Sequence, residues 1–231
     1  MLLNSSQFNT SPRKIIDTES IINKTETVFG FHTSEFIIVR YAYTCTYVYF
    51  TKGGWMMVTN FTIADTSEAT LPAYEMDIGR LDQVASGRFI ADTRMVRAIS
   101  NSWRIDQFRF YCRKKNVGRT IHFKSKMDNE PGRKFRDAVF DKTINWNNPV
   151  QKCTDVFEVY SKDSFLLRDC NVVRCGVVSS PDGSSVTDAN RLYRHLFYVH
   201  GSYHYQLVPN RIECDDQYGG DPVGTWQIYV R

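Results

Sequence analysis

The 231 residues are 42% hydrophobic and 14% aromatic, with a mean hydropathy of -0.39 and a formal charge of +4. That is too aromatic for a disordered chain and enough apolar material for one sizeable core. No run approaches the roughly 18 apolar residues of a membrane helix, and the mild charge excludes a highly acidic, mineral-nucleating polymer.

The first residues offer only Leu2 and Leu3 before turning polar, which is no signal-peptide core; a leader has been removed, or the chain continues upstream. Residues 1–30 read as an exposed lead-in. Three N-x-[ST] sequons lie there, at Asn4, Asn9 and Asn23, with a fourth at Asn60, each an acceptor only in a secreted chain. From Glu35 the texture is strand-like: Phe36 to Val39 and Tyr41 to Phe50 are β-branched or aromatic. Gly53-Gly54 predicts a hairpin turn at positive φ, and Trp55 to Ile63 resumes the strand. Asp65 to Thr70 reads as a polar loop. Asp92 is placed to cap a short helix running to Ile99, with Met95, Val96 and Ile99 on one side.

Gln107 to Arg113 alternates, setting Phe108, Phe110 and Cys112 against Arg109, Tyr111 and Arg113. Thr120 to Lys126 alternates again, with Ile121 and Phe123 opposed to His122, Lys124 and Lys126, so the pair reads as a half-buried hairpin with a charged outer face. Lys134 to Phe140 predicts a turn or two of helix, and Val156 to Tyr160 and Phe165 to Leu167 predict strands. Ser179 to Ser185 reads as a loop. The final strand alternates Trp226, Ile228 and Val230 inward, which a chain end does when it is docked in a sheet. The sum is an α+β, strand-predominant domain over residues 31–231.

Six dispersed cysteines, Cys45, Cys112, Cys153, Cys170, Cys175 and Cys214, argue for disulfides in an oxidising compartment, with 15 pairings open and buried free thiols as the alternative. No C-x-x-C spacing suggests zinc. No G-x-S-x-G, H-E-x-x-H, P-loop or dinucleotide fingerprint is present, so no catalytic class is indicated. Two clusters could hold metal. His195, His200 and His204 would need to converge for a metal-dependent enzyme, and packing among aromatics is the plainer account of them. Asp215, Asp216 and Asp221, with Glu213 nearby, could bind calcium on a Gly219-Gly220 loop, although the EF-hand spacing is absent and a solvated loop is the plainer account.

The strongest asymmetry is electrostatic. Residues 107–127 hold Arg109, Arg113, Lys114, Lys115, Arg119, Lys124 and Lys126 and no carboxylate, so the remainder of the chain is net negative. Such a face fits sulfated glycans or acidic matrix proteins, or is simply solvated; nucleic acid suits the charge but neither the cysteines nor the sequons.

Two of these segments carry a resemblance. Gly53-Gly54-Trp55-Met56-Met57-Val58 resembles the G-G-W-x-x-V segment of fibrinogen C-terminal-like domains, intelectins and related secreted proteins. Gln107 to Phe123, containing Arg109-Phe110-Tyr111-Cys112 and Gly118-Arg119-Thr120-Ile121-His122, resembles a block in fibrinogen-like proteins of corals and sea anemones, including skeletal organic matrix proteins. The ending Gly224 to Arg231 is similar to theirs, and the resemblance spans Tyr41 to Arg231. It implies a secreted, non-enzymatic domain for recognition or matrix building. The D-x-D calcium loop of the vertebrate domains is missing and no acetyl-reading aromatic cage can be placed, so no ligand residue is carried over. The expectation is a secreted glycoprotein of extracellular matrix or lectin-like type, in a biomineralization setting, with anionic glycans or matrix proteins as partners and no required cofactor. The alternatives are an innate-recognition lectin and the histidine-based enzyme.

Overall fold

The computed structural model describes residues 27–30, 36–41, 44–51, 54–116, 120–141, 153–160, 174–175, 188–193, 197–199, 202–203, 205–214 and 220–231. Among these, strands predominate over helices, as the alternating patterns predict.

The main sheet joins nine strands: β1 (Thr27–Gly30), β2 (Phe36–Tyr41), β3 (Thr44–Thr51), β4 (Trp55–Ile63), β5 (Arg88–Ile90), β6 (Phe108–Lys114), β7 (Thr120–Ser125), β8 (Phe157–Val159) and the terminal β14 (Gly224–Val230). The order is β1-β2-β3-β4-β14-β6-β7-β8, with β5 also on β4, and each of these neighbours pairs antiparallel. The last strand thus lies between β4 and β6, so the chain end is held by ladders on both sides. Two smaller groups are β9 (Arg174–Cys175), β10 (Phe197–Val199) and β11 (Ser202–Tyr203), and the pair β12 (Tyr205–Val208) and β13 (Arg211–Cys214).

Gly54 has the positive φ expected of a hairpin turn, 72°, and β3 pairs with β4; Gly53 lies outside the described residues. The sheet, however, begins within the segment expected to be a lead-in, because β1 pairs along its four residues with β2. β4 carries a bulge where its register against β14 slips between Ile228 and Tyr229. The extra residue keeps Phe61 and Ile63 buried on the same face as Met56.

Helix α1 (Thr93–Trp103) starts where the sequence predicts, with the Asp92 carboxylate accepting from the Arg94 amide at 2.7 Å, and runs four residues past the expected end. Helix α2 (Glu130–Phe140) starts four residues earlier than expected. Asn129 caps it, accepting from the Gly132 amide at 2.9 Å, and Pro131 suits a first turn that needs no amide donor there. The first turn also presses on the end of β7: a Cβ on Gly132 would stand 1.9 Å from the Lys126 carbonyl oxygen, so only glycine fits. A short α3 (Cys153–Val156) occupies the first residue of the predicted 156–160 strand, which is shortened to β8. A 3-10 helix at Ile78–Ser86, capped by Asp77, has no counterpart among the predicted elements.

One face of the sheet is dry. Phe108, Phe110 and Cys112 of β6, Ile121 and Phe123 of β7, and Trp226, Ile228 and Val230 of β14 pack with Met95, Val96 and Ile99 of α1 and Phe135, Ala138 and Val139 of α2. Phe110 is at its centre, 5.2 Å from Phe123 in a stack and near edge-on to Phe135, Phe157 and Tyr205 at 5.7–6.3 Å. Burial of each such ring contributes about 1.5–3 kcal/mol, with further stabilisation from edge-to-face geometry.

Candidate functional site

The opposite, outer face of the sheet is built by the alternate residues of the same strands. Register aligns Thr62 with Thr225 and Arg113, Asn60 with Gln227 and Tyr111, and Met57 with Tyr229 and Arg109. Across β6 and β7, Tyr111 lies opposite His122 and Arg109 opposite Lys124, which in turn lies opposite Glu158. These side chains are half-buried for the most part, with Arg113 and Glu158 exposed and Tyr229 largely covered.

Arg109 organises the face. Its guanidinium carbon sits 4.8 Å from the centre of the Tyr229 ring and 5.0 Å from that of Tyr160, attracted by the electron-rich ring faces. Its Nε donates to His122 Nε2 at 2.9 Å. The His122 ring stacks on Tyr160 at 4.1 Å and 16°, and the Tyr111 ring meets it nearly edge-on at 5.5 Å. Because Nε2 accepts, the neutral imidazole carries its proton on Nδ1. Burial, and then the adjacent Arg109 charge, holds the His122 pKa down to about 4, so the ring is uncharged near neutrality. The four terminal N–H groups of Arg109 make no hydrogen bond among the described residues, and they are the fork geometry that a sulfate or carboxylate accepts.

Polar groups extend the face. The Tyr229 hydroxyl donates to Gln227 Oε1 at 2.8 Å, and Gln227 Nε2 donates to Asn60 Oδ1 at 3.2 Å. The Arg231 guanidinium lies 4.9 Å from the centre of the Trp55 ring. The ensemble is a row of rings, amides and guanidiniums fixed by mutual contacts before any ligand arrives.

The seven cations predicted for the outer face do not stay together. Arg109, Arg113 and Lys124 are there, Lys115 is exposed just past β6, and Lys126 follows β7 with its Nζ donating to the Thr154 carbonyl at 2.6 Å. Lys124 Nζ lies 3.1 Å from Glu158 Oε2. Lys114 corrects the prediction: it is 1% exposed and opposite Gly224, on the parity of Phe108, Phe110 and Cys112. A side chain of that parity at a strand end points inward whatever its charge. Gly224 makes room there, since a Cβ on it would come within 2.6 Å of the Arg113 carbonyl oxygen and 3.2 Å of Lys114 Cγ. Arg119 lies outside the described residues.

Of the cysteines, Cys112 and Cys214 form a disulfide with Cα atoms 5.9 Å apart, both side chains buried, tying β6 to β13 across 102 residues. For Cys45, Cys153 and Cys175 only the backbone is described, and Cys170 lies outside the described residues. Asn4, Asn9 and Asn23 also lie outside them, whereas Asn60 stands mid-strand in β4, half-buried beside Gln227, away from the loop setting usual for an acceptor. His195, His200, His204, Asp215 and Asp216 are likewise outside. Asp221 is engaged: one carboxylate oxygen accepts from the Val223 amide at 2.9 Å and the other from Asn116 Nδ2, closing the β6 end onto the start of β14. Glu213 is buried with Oε1 3.5 Å from Arg211 Nε. Among the described residues no three His, Cys, Asp or Glu side chains gather as a metal site would require, and no helix is long and apolar enough to cross a membrane.

Sequence alternation marked Arg109, Tyr111, His122 and Lys124 as outward, but it missed Tyr160, Tyr229, Gln227, Trp55 and Arg231 as their neighbours. The signal was present only as parity within each strand; pairing β14 with β6 across more than a hundred residues is what assembles the row. No protein-family model, curated protein or solved structure matches this chain.

Proposed function

We propose that this protein is a secreted, non-catalytic binding module of extracellular matrix type, and that the outer sheet face binds anionic glycans. The observation that carries the reading is Arg109, fixed between Tyr229 and Tyr160 and bonded to His122 with its terminal N–H groups unused among the described residues. Sugar rings stack on aromatic faces, and sulfates or carboxylates accept from guanidinium forks. Because contacts within the protein already order these side chains, a ligand loses little further conformational freedom on binding. The exposed Arg113 and Lys115 add positive potential at one end of the row. The buried Cys112–Cys214 disulfide supports an oxidising compartment.

The test is retention on immobilised heparin. Reversing two exposed charges in Arg113→Glu/Lys115→Glu should lower the salt needed for elution substantially, and Tyr160→Ala should weaken retention without altering net charge. Lys114→Glu is unsuitable, because burying a carboxylate there would unfold the sheet end. Wild-type protein that passes through the column at low salt, or charge-reversed protein retained like wild type, overturns the assignment.

A further inference from the structure

Where β7 and β14 end and α2 begins, the outer face runs into a groove of about 420 Å³ lined by residues including Lys124, Lys126, Asp128, Asn129, Glu158 and Arg231. Three cations converge there, and their present partners differ in kind. Lys126 donates to a backbone carbonyl, and Arg231 donates to the Gln107 amide oxygen while stacking on Trp55. The neutral carbonyl partner leaves the Lys126 charge in place. Lys124 is matched by a carboxylate, Glu158, and the two differ in exposure: 22% of the lysine side chain is accessible against 60% of the glutamate. The glutamate is therefore the member that can leave, since an exposed ion pair is weak and its carboxylate is already largely hydrated. Asp128 is exposed and forms no ion pair among the described residues, so the lining keeps three cations against two carboxylates. Asn129, the cap of the 11-residue α2, brings the positive end of that helix to the same groove.

Resting on the anionic-glycan reading, we propose that this groove seats a sulfate group of the glycan between Lys124, Lys126 and Arg231, and that Glu158 is an internal competitor for Lys124. The groove is continuous with the row above it, because Lys124 is the register partner of Arg109. A chain lying on the rings would thus place one charged substituent at the end of the strands. Glu158 raises the threshold for binding, so that weakly charged glycans do not displace it and densely sulfated ones do.

The experiment measures the affinity of the full chain for a fluorescent heparin oligosaccharide, with a desulfated oligosaccharide that keeps its carboxylates as the comparison. Glu158→Gln should tighten heparin binding about two- to fivefold, the scale of one exposed ion pair, and Lys126→Met should weaken it several-fold. Both effects should vanish with the desulfated probe. In a Lys124→Gln background, Glu158→Gln should lose most of its gain, which separates competition for Lys124 from a general change in charge. If Lys126→Met does not fold, as judged by thermal unfolding, Lys124→Gln alone gives the same readout, since its only described polar contact is Glu158. Wild-type binding that neither Glu158→Gln nor the lysine variants alter overturns the groove while leaving the outer face in place. Absence of wild-type heparin binding overturns the outer-face assignment, and the groove with it.

Discussion

Both faces of the β6–β7 hairpin are aromatic, yet they use their rings differently. On the inner face Phe108, Phe110 and Phe123 meet other rings from α2, β8 and β12, packed away from water. On the outer face each ring is shared with a cation, an imidazole or an amide, and water reaches part of every group but Tyr229 and Trp55. Closed aromatic contact contributes stability through area removed from water, whereas the open arrangement contributes little to folding and leaves donors and ring faces for a ligand. Residues one position apart on a single strand can therefore serve folding and, in the proposed function, binding separately. Lys114 marks where the division ends, a charged side chain placed on the dry side by parity.

The division can be broken most severely from inside. Phe110→Ala should destabilise the protein by about 3–5 kcal/mol in a urea titration, while Tyr111→Ala, one residue along on the open face, should cost less than about 1.5 kcal/mol. Equal losses would mean that the two faces are not energetically distinct. Next in size is the crosslink: Cys112→Ser with Cys214→Ser should lower stability by about 2–5 kcal/mol, because β13 is joined to β6 covalently only there. A loss near zero would show that packing alone holds β13.

The smallest effect belongs to the open face and depends on pH. His122 has an ordinary value of 6.5 and one of about 4 in the folded protein, so as pH falls the unfolded chain takes up a proton that the folded chain refuses. Its contribution to stability is complete above about 6.5 and is lost as pH falls from 6.5 to about 4. Denaturant midpoints measured across that window should fall for wild type and fall less for His122→Gln. An imidazole resonance titrating near 6.5 in the folded protein would show that the contact with Arg109 and Tyr160 does not hold in solution.

The alternation of residues 107–126 made both hairpin faces legible, and Asp92 announced the start of α1, because both signals are local: one is a two-residue period and the other a side chain bonding to an amide two residues on. The 3-10 helix at Ile78–Ser86 gave no such period, and the early start of α2 was hidden because Pro131 and Gly132 look like a turn until the Asn129 cap and the close approach to Lys126 are seen.

From its order of residues alone, this chain determined that it is strand-predominant, which positions of the hairpin point together, and that positive charge concentrates at residues 107–127. Tertiary structure alone decided that Cys112 meets Cys214, that Lys114 is enclosed, and that Tyr160, Tyr229, Trp55 and Arg231 complete the row around Arg109. The physical reason is range: parity and capping act over a few residues, whereas the pairing of β14 between β4 and β6 is fixed by the burial of a whole face, a quantity that belongs to the assembled sheet and to no single segment.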